Sequence, residues 1–213
     1  MEFNKMHFLL FINIFFIAIS FYLLGSFPTG LVIGKLVKNK DLRFLGSKNI
    51  GTSNAARILG FQYGLITCFF DFSKGFLAVF FFKEHNNDVN NISYYRIIFG
   101  LFSILGHIYP FFTNFKGGKA VATTVGMFCG LSTVCGLLGM LFFIVIFLIS
   151  GYSSLSSILT IFFIYIILFF EGSIGVNELI TIFFINFIIL FKHKKNILNL
   201  INKSEYKFSF KKK

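Results

Sequence analysis

Between two strongly apolar stretches lies Gly46-Ser47-Lys48-Asn49-Ile50-Gly51-Thr52-Ser53-Asn54, with Arg57 and Gly60 just beyond. The glycines allow a tight turn and expose backbone N–H groups. Ser47, Asn49, Thr52, Ser53 and Asn54 carry hydrogen-bonding side chains, while Lys48 and Arg57 carry positive charge. That set suits an anion with several oxygens, phosphate above all. Three to four residues past Asn54 the sequence turns helical and apolar, which would place such an anion at a helix N-terminus. The plainer reading of this island is a solvated loop between two membrane spans.

A second island, Lys116-Gly117-Gly118-Lys119, has the same character. Adjacent glycines free backbone amides and two lysines add charge. The GxxxxGK[ST] spacing of a P-loop is missing, and an ordinary turn with topology-setting charge would look the same. Near the C-terminus, His193 and Asn196 stand at i, i+3 and can share a helix face. Asp71 and Lys74 stand at the same spacing inside an apolar stretch. There they read either as an ion pair that locks packing or as support for a site.

These groups need elements to hold them, and composition says which. Of 213 residues, 56% are hydrophobic and 13% charged, with a mean hydropathy of +0.80. Apolar runs near 20 residues recur, which predicts an all-α, polytopic integral membrane protein. The runs are continuous rather than alternating, which argues against a β-barrel. Spans are expected at about Phe8 to Ile33, Phe61 to Phe82 and Tyr94 to Phe112. Val121 to Ile149 divides into two at about Val134 to Gly136. The last two run to about Phe170 and from Leu179 to Phe191, giving about seven transmembrane helices. Lys83 to Asn91 reads as a polar loop, Ser150 to Ser157 as a hydroxyl-rich break, and Glu171 to Glu178 as a short acidic loop. Gly126 and Gly130 form a GxxxG pair suited to close helix packing. Residues 1–213 read as one transmembrane domain with a basic tail from about 192.

The net charge is +12, and sixteen of the 20 Lys and Arg fall in the two islands, their approaches and the tail. An odd number of spans puts those three regions on one side. The positive-inside rule makes that side cytosolic and the N-terminus external. Such charge also attracts anionic lipid or substrate. No zinc finger or basic-helix pattern points to nucleic acid. Cys68, Cys129 and Cys135 lie singly in apolar stretches and read as buried thiols. There is no HExxH or Cys/His cluster for a metal, no HxxxxD dyad and no GxSxG elbow. No cofactor is implied. On residues alone, an enzyme acting on phosphates and a transporter of a phosphorylated or anionic solute fit equally well.

The order of motifs is more specific. GSFPTG, GSKNIGTSN with AARILG, DFSKG, GHIYP with FFTNFKGGKAVAT, GYSSLSSI and KHKKNI run from about Gly25 to Asn196. Together they resemble the bacterial acyl-phosphate:glycerol-3-phosphate acyltransferase family, the PlsY type. Three positions depart from the usual pattern: Lys48 and Ala120 stand where the family usually has Gly, and Gly151 where it has Arg. The resemblance implies transfer of a fatty acyl group from acyl-phosphate to glycerol 3-phosphate, giving lysophosphatidate and phosphate, the first step of phospholipid synthesis. It assigns catalytic roles to Ser47, Arg57, His193 and Asn196. It assigns glycerol 3-phosphate binding to Gly117 and Gly118. The chemistry of the side chains themselves adds phosphate contacts from Asn49, Asn54, Lys116, Lys119 and Ser154. The resemblance leaves open whether His193 or a substrate phosphate oxygen takes the hydroxyl proton. It also implies a site on the cytosolic face of a bacterial cytoplasmic (inner) membrane, with the bilayer and the enzyme supplying acyl-phosphate as partners.

Overall fold

In hydrocarbon every backbone N–H and C=O must be bonded within the chain, and this sequence meets that demand with helices. The computed structural model describes residues 2–81, 89–172 and 174–208. Ten helices follow in order: α1 (Glu2–Ser26), α2 (Thr29–Lys38), α3 (Thr52–Leu59), α4 (Phe61–Phe80), α5 (Val89–Ile108), α6 (Val121–Leu131), α7 (Thr133–Ser150), α8 (Ser153–Glu171), α9 (Val176–Lys192) and α10 (Lys194–Ile201). A 3₁₀ turn, Phe111–Thr113, joins α5 to the second island. No strand occurs among the described residues. The protein is an all-α, multi-pass membrane protein.

Among the described residues five segments are long and apolar enough to cross a bilayer, or six if α9 and α10, bent by 57°, count as one span. The expected fourth span is α6, which has eleven residues and reaches about 16 Å, roughly half the hydrocarbon thickness. Its C-terminal end is closed by Arg96 of α5, which donates to Gly130 O at 2.7 Å and to Val79 O, near the end of α4, at 3.2 Å. A cation at two helix C-termini satisfies carbonyls that would otherwise be orphaned. The α6–α7 break falls at Ser132, not at Val134 to Gly136, because the Ser132 hydroxyl accepts from Cys135 N and caps α7.

Other boundaries shift for equally local reasons. The island helix α3 begins at Thr52, before Asn54 rather than after it, since Gly51 takes the extended N-cap conformation. The hydroxyl-rich stretch is mostly the first turns of α8, where Ser156 and Ser157 donate back to Tyr152 O and Ser153 O. Only Gly151 and Tyr152 interrupt the helices there. The polar loop expected at Lys83 to Asn91 lies partly outside the described residues, and α5 already begins at Val89.

Small residues set the closest helix crossings. A side chain at Gly75 of α4 would overlap Thr123 O of α6, and one at Gly126 would overlap Phe72 O. Ile104, Phe128, Ile161, Ile164, Ile185 and Ile189 fill the core between α5, α6, α8 and α9. Phe15, Phe16, Phe69, Phe183 and Phe184 point outward, as lipid-facing residues do. Asp71 and Lys74 are 2% and 4% exposed. Their ion pair is 2.6 Å long, and Lys74 Nζ also donates to Phe27 O, the carbonyl left at the α1–α2 break before Pro28.

Lys48 and Ala120, where the resemblance leads to the expectation of glycine, have φ of 60°. That left-handed conformation costs a non-glycine residue about 1–2 kcal/mol. Ala120→Gly should therefore raise the melting temperature of the detergent-solubilised protein, and Ala120→Val should lower it. Scanning fluorimetry on both variants checks the order.

Candidate active site

Asn54 builds the first island. It sits in the first turn of α3 at 1% exposure. Its Oδ1 accepts from Ser47 N at 2.9 Å, and its Nδ2 lies within 2.7–3.3 Å of Asn49 O, Leu45 O and Leu42 O. The loop is thereby folded over the start of α3, with Ser47 exposed and Arg57 in the last turn of that helix. Expected as a phosphate contact, Asn54 instead commits its amide to the loop. Asn49 Oδ1 likewise accepts from Gly51 N at 2.9 Å.

The second island is fixed from below. Gly118 N donates to His107 O at 3.0 Å, so this amide is turned inward rather than freed for a ligand. A Cβ on Gly118 would overlap the His107 ring, and one on Gly117 would overlap His107 O. The glycines are required because the loop presses against the end of α5. His107 Nδ1 lies 3.7 Å from Asp71 Oδ1, so the buried ion pair of α4 backs the same loop. This arrangement delivers Lys119 inward and leaves Lys116 exposed.

The tail supplies the third wall. His193 ends α9, and its Nδ1 lies 2.8 Å from Ile189 O. A carbonyl can only accept, so the proton is on Nδ1 and Nε2 carries the lone pair. Asn196, in α10, accepts from Lys119 Nζ in a short hydrogen bond and donates from Nδ2 to Glu205 Oε1 at 2.7 Å. Ser154 Oγ donates to the same oxygen at 2.8 Å.

These residues surround one cavity of about 360 Å³. Ser47, Asn49, Arg57, Lys119, Ser154, His193 and Asn196 supply polar lining, with the edge of Asn54 beside them. Leu65 and Phe72 of α4, Val125 of α6, and Met140, Phe143 and Ile144 of α7 supply apolar lining, with Asp71 of α4 and His107 of α5 also in the wall. Lys116, Gly117 and Gly118 are not among its lining residues. Burial pushes Lys119 down to about 8, with Glu205 opposing and Arg57 assisting. Burial also lowers Arg57, which stays charged because guanidinium is so strong a base. Cations and apolar lining in one cavity suit a molecule with a phosphate head and a hydrocarbon tail.

Thr52 and Asp71, singled out in the sequence as an island side chain and as possible support for a site, do line the cavity. Sequence reasoning missed His107 and Glu205, which also line it, and Tyr206, which stacks on Arg57 beside it. Glu205 carried a signal: it is the one acidic residue among the eight lysines from 192 onward. Tyr206 carried none, because its position depends on how the chain turns back after α10.

Comparison with known proteins follows the same lines. The model of the family described as glycerol-3-phosphate acyltransferase matches residues 15–203, a range that contains all three walls. A glycerol-3-phosphate acyltransferase of Phytoplasma australiense is 42% identical over 149 residues, covering 64% of this chain and 65% of that protein. One from Staphylococcus aureus is 45% identical over 130 residues, covering 59% and 64%. The chain thus spans just under two thirds of the length of these relatives. Two crystal structures of PlsY (YgiH), an integral membrane glycerol 3-phosphate acyltransferase, superpose over 92% of this chain and 96% of theirs. The glycerol 3-phosphate form has a TM-score of 0.85 at 39% identity, and the lysophosphatidic acid form 0.82 at 37%. With both islands, His193 and Asn196 and most of the helical frame inside the matched range, the chain belongs to the glycerol-3-phosphate acyltransferase family.

Proposed function

We propose that the protein transfers a fatty acyl group from acyl-phosphate to the 1-hydroxyl of glycerol 3-phosphate, releasing lysophosphatidate and inorganic phosphate. The observation that carries this reading is one cavity whose wall holds both Arg57 and Lys119 and a set of aliphatic and aromatic side chains from α4, α6 and α7. Both substrates bring a phosphate, and one brings a long hydrocarbon chain. The solved relatives are named for glycerol 3-phosphate and lysophosphatidic acid forms, which are this acceptor and this product.

The hydroxyl oxygen attacks the acyl carbonyl carbon, an ester C–O bond forms, and the anhydride C–O bond breaks with its electrons leaving on phosphate. Phosphate is a good leaving group, so the protein's task is to position the reactants and stabilise charge. Arg57 and Lys119 hold the phosphates, with Lys116 contributing at the entrance. Ser47 and Ser154 donate hydrogen bonds, and Asn196 keeps Lys119 directed inward. Gly117 and Gly118 give the loop its close seat against α5. The hydroxyl proton passes either to His193 Nε2, which the tautomer leaves free, or to the departing phosphate. No cofactor takes part.

The reaction belongs at the cytosolic face of a bacterial cytoplasmic membrane, with the N-terminus outside and residues 1–213 acting as one membrane unit. The gathering of the basic islands and basic tail at one cavity supports that orientation. The enzyme that makes acyl-phosphate is the expected working partner.

Purified protein in detergent, given acyl-phosphate and labelled glycerol 3-phosphate, should place label in a lipid product without any sealed vesicle. Lack of lipid label with intact protein would refute the transferase and favour a carrier. In the same assay Ser47→Ala and Arg57→Ala should each lose at least about a hundredfold in rate while expression persists.

Lys119 is cationic below about 8 and neutral above it, so a phosphate-holding charge disappears as pH rises through that value. The KM for glycerol 3-phosphate should climb across that range. In Lys119→Arg it should stay flat, because guanidinium keeps its charge. Single cysteines placed at the exposed positions 48 and 195 should react with impermeant maleimide only from the cytosolic side. Reaction of either from outside overturns the orientation.

A further inference from the structure

Arg57 is held in an unusual way. Its Nε is buried without a hydrogen-bond partner, and none of the ion pairs among the described residues involves it. What does hold it is a ring: Tyr206 lies with its centroid 3.7 Å from Arg57 Cζ. That separation puts the guanidinium over the ring face at stacking distance, a contact that orients its plane and uses none of its N–H groups.

Tyr206 belongs to a strap, Ser204 to Phe208, which begins one residue past the limit of the family match at 203. The strap is pinned on both sides of the ring. Before it, Ser204 N and Glu205 N donate to Asn199 O, and the Glu205 carboxylate takes bonds from Ser154, Asn196 and Asn199. After it, Phe208 N donates to Gly151 O at 2.9 Å. The Phe208 ring meets Tyr206 edge-on and packs on Phe147. Room for this passage exists because position 151 has no side chain: a Cβ there would come within 3.0 Å of Phe208 O. The ring is thus held in place while 44% of Tyr206 remains exposed.

We infer that Tyr206 is a positioning residue: stacked on Arg57, it fixes the guanidinium plane so that its N–H edge meets a phosphate entering the cavity. Tyr206 does not itself appear among the cavity-lining residues. An arginine has several free torsions, and an anion that must order them binds less tightly than one meeting a fixed fork. The inference rests on Arg57 as a phosphate-holding group, as proposed above.

The test is titration calorimetry of the purified full chain with glycerol 3-phosphate and, separately, inorganic phosphate, with no acyl donor present. Tyr206→Leu should weaken binding of both by about tenfold, while Tyr206→Phe and Tyr206→Trp, which keep a ring to stack, should stay within about twofold. In an Arg57→Lys background, Tyr206→Leu should change nothing further, because an ammonium has no plane to hold. Wild-type affinity in Tyr206→Leu overturns the inference. So does Tyr206→Phe failing as badly as Leu, or an equal loss in the Arg57→Lys background, which is what a merely structural ring would give. Wild-type protein that binds neither probe would sink the phosphate reading and this inference together. Binding that persists in wild type but ignores Tyr206 sinks this inference alone.

Discussion

One side-chain amide holds the first island in shape. Asn54 reaches back from α3 to the backbone of Leu42, Leu45, Ser47 and Asn49, closing a loop that no regular element would hold. Leu42 O and Leu45 O also accept from Leu45 N and Lys48 N, whereas Ser47 N and Asn49 O are held by the Asn54 amide, a net gain of about 0.5–1.5 kcal/mol per bond. Ser47 and Arg57 flank this residue in sequence, so their placement toward the cavity follows from its geometry. A polar residue that looks like a ligand can instead be the reason the ligands are where they are.

The same economy runs through the rest of the cavity wall. Lys119, Asn196, Glu205 and Ser154 form one chain of hydrogen bonds across the second island, α10, the strap and α8. Charges already directed by neighbours need less rearrangement when an anion develops or leaves, which is how fixed dipoles lower a barrier. The buried ion pair of α4 extends this order inward, since Asp71 faces His107, and the His107 backbone seats the glycine loop.

Much of this could be read from residue order. Apolar runs gave the helices, the GxxxG pair marked a face that does pack on α4, and the clustering of cations placed three distant stretches together. What escaped was decided by contacts far apart in sequence. Gly117 and Gly118 look like phosphate cradles, yet they are small because His107 presses on them. Half-length α6 reads as a span because its apolar run continues into α7, and its end is marked by Arg96 on another helix and by the Ser132 cap of α7. Lys48 and Ala120 look like neutral exchanges until their left-handed backbone is seen. Tyr206 finds Arg57 only through the return of the tail.

The pairing of Asp71 with Lys74 bears on how this protein is made. A lone charge at mid-membrane costs a helix about 2.5–3.5 kcal/mol on entering the bilayer. Here the counter-charge is one turn away on the same helix, and the extra acceptor, Phe27 O, lies earlier in the chain. Biosynthesis therefore delivers both partners of Lys74 before the ribosome has begun α5. Within the first hairpin the charge pair of α4 can leave the translocon already neutralised, without waiting for the helices that later enclose it.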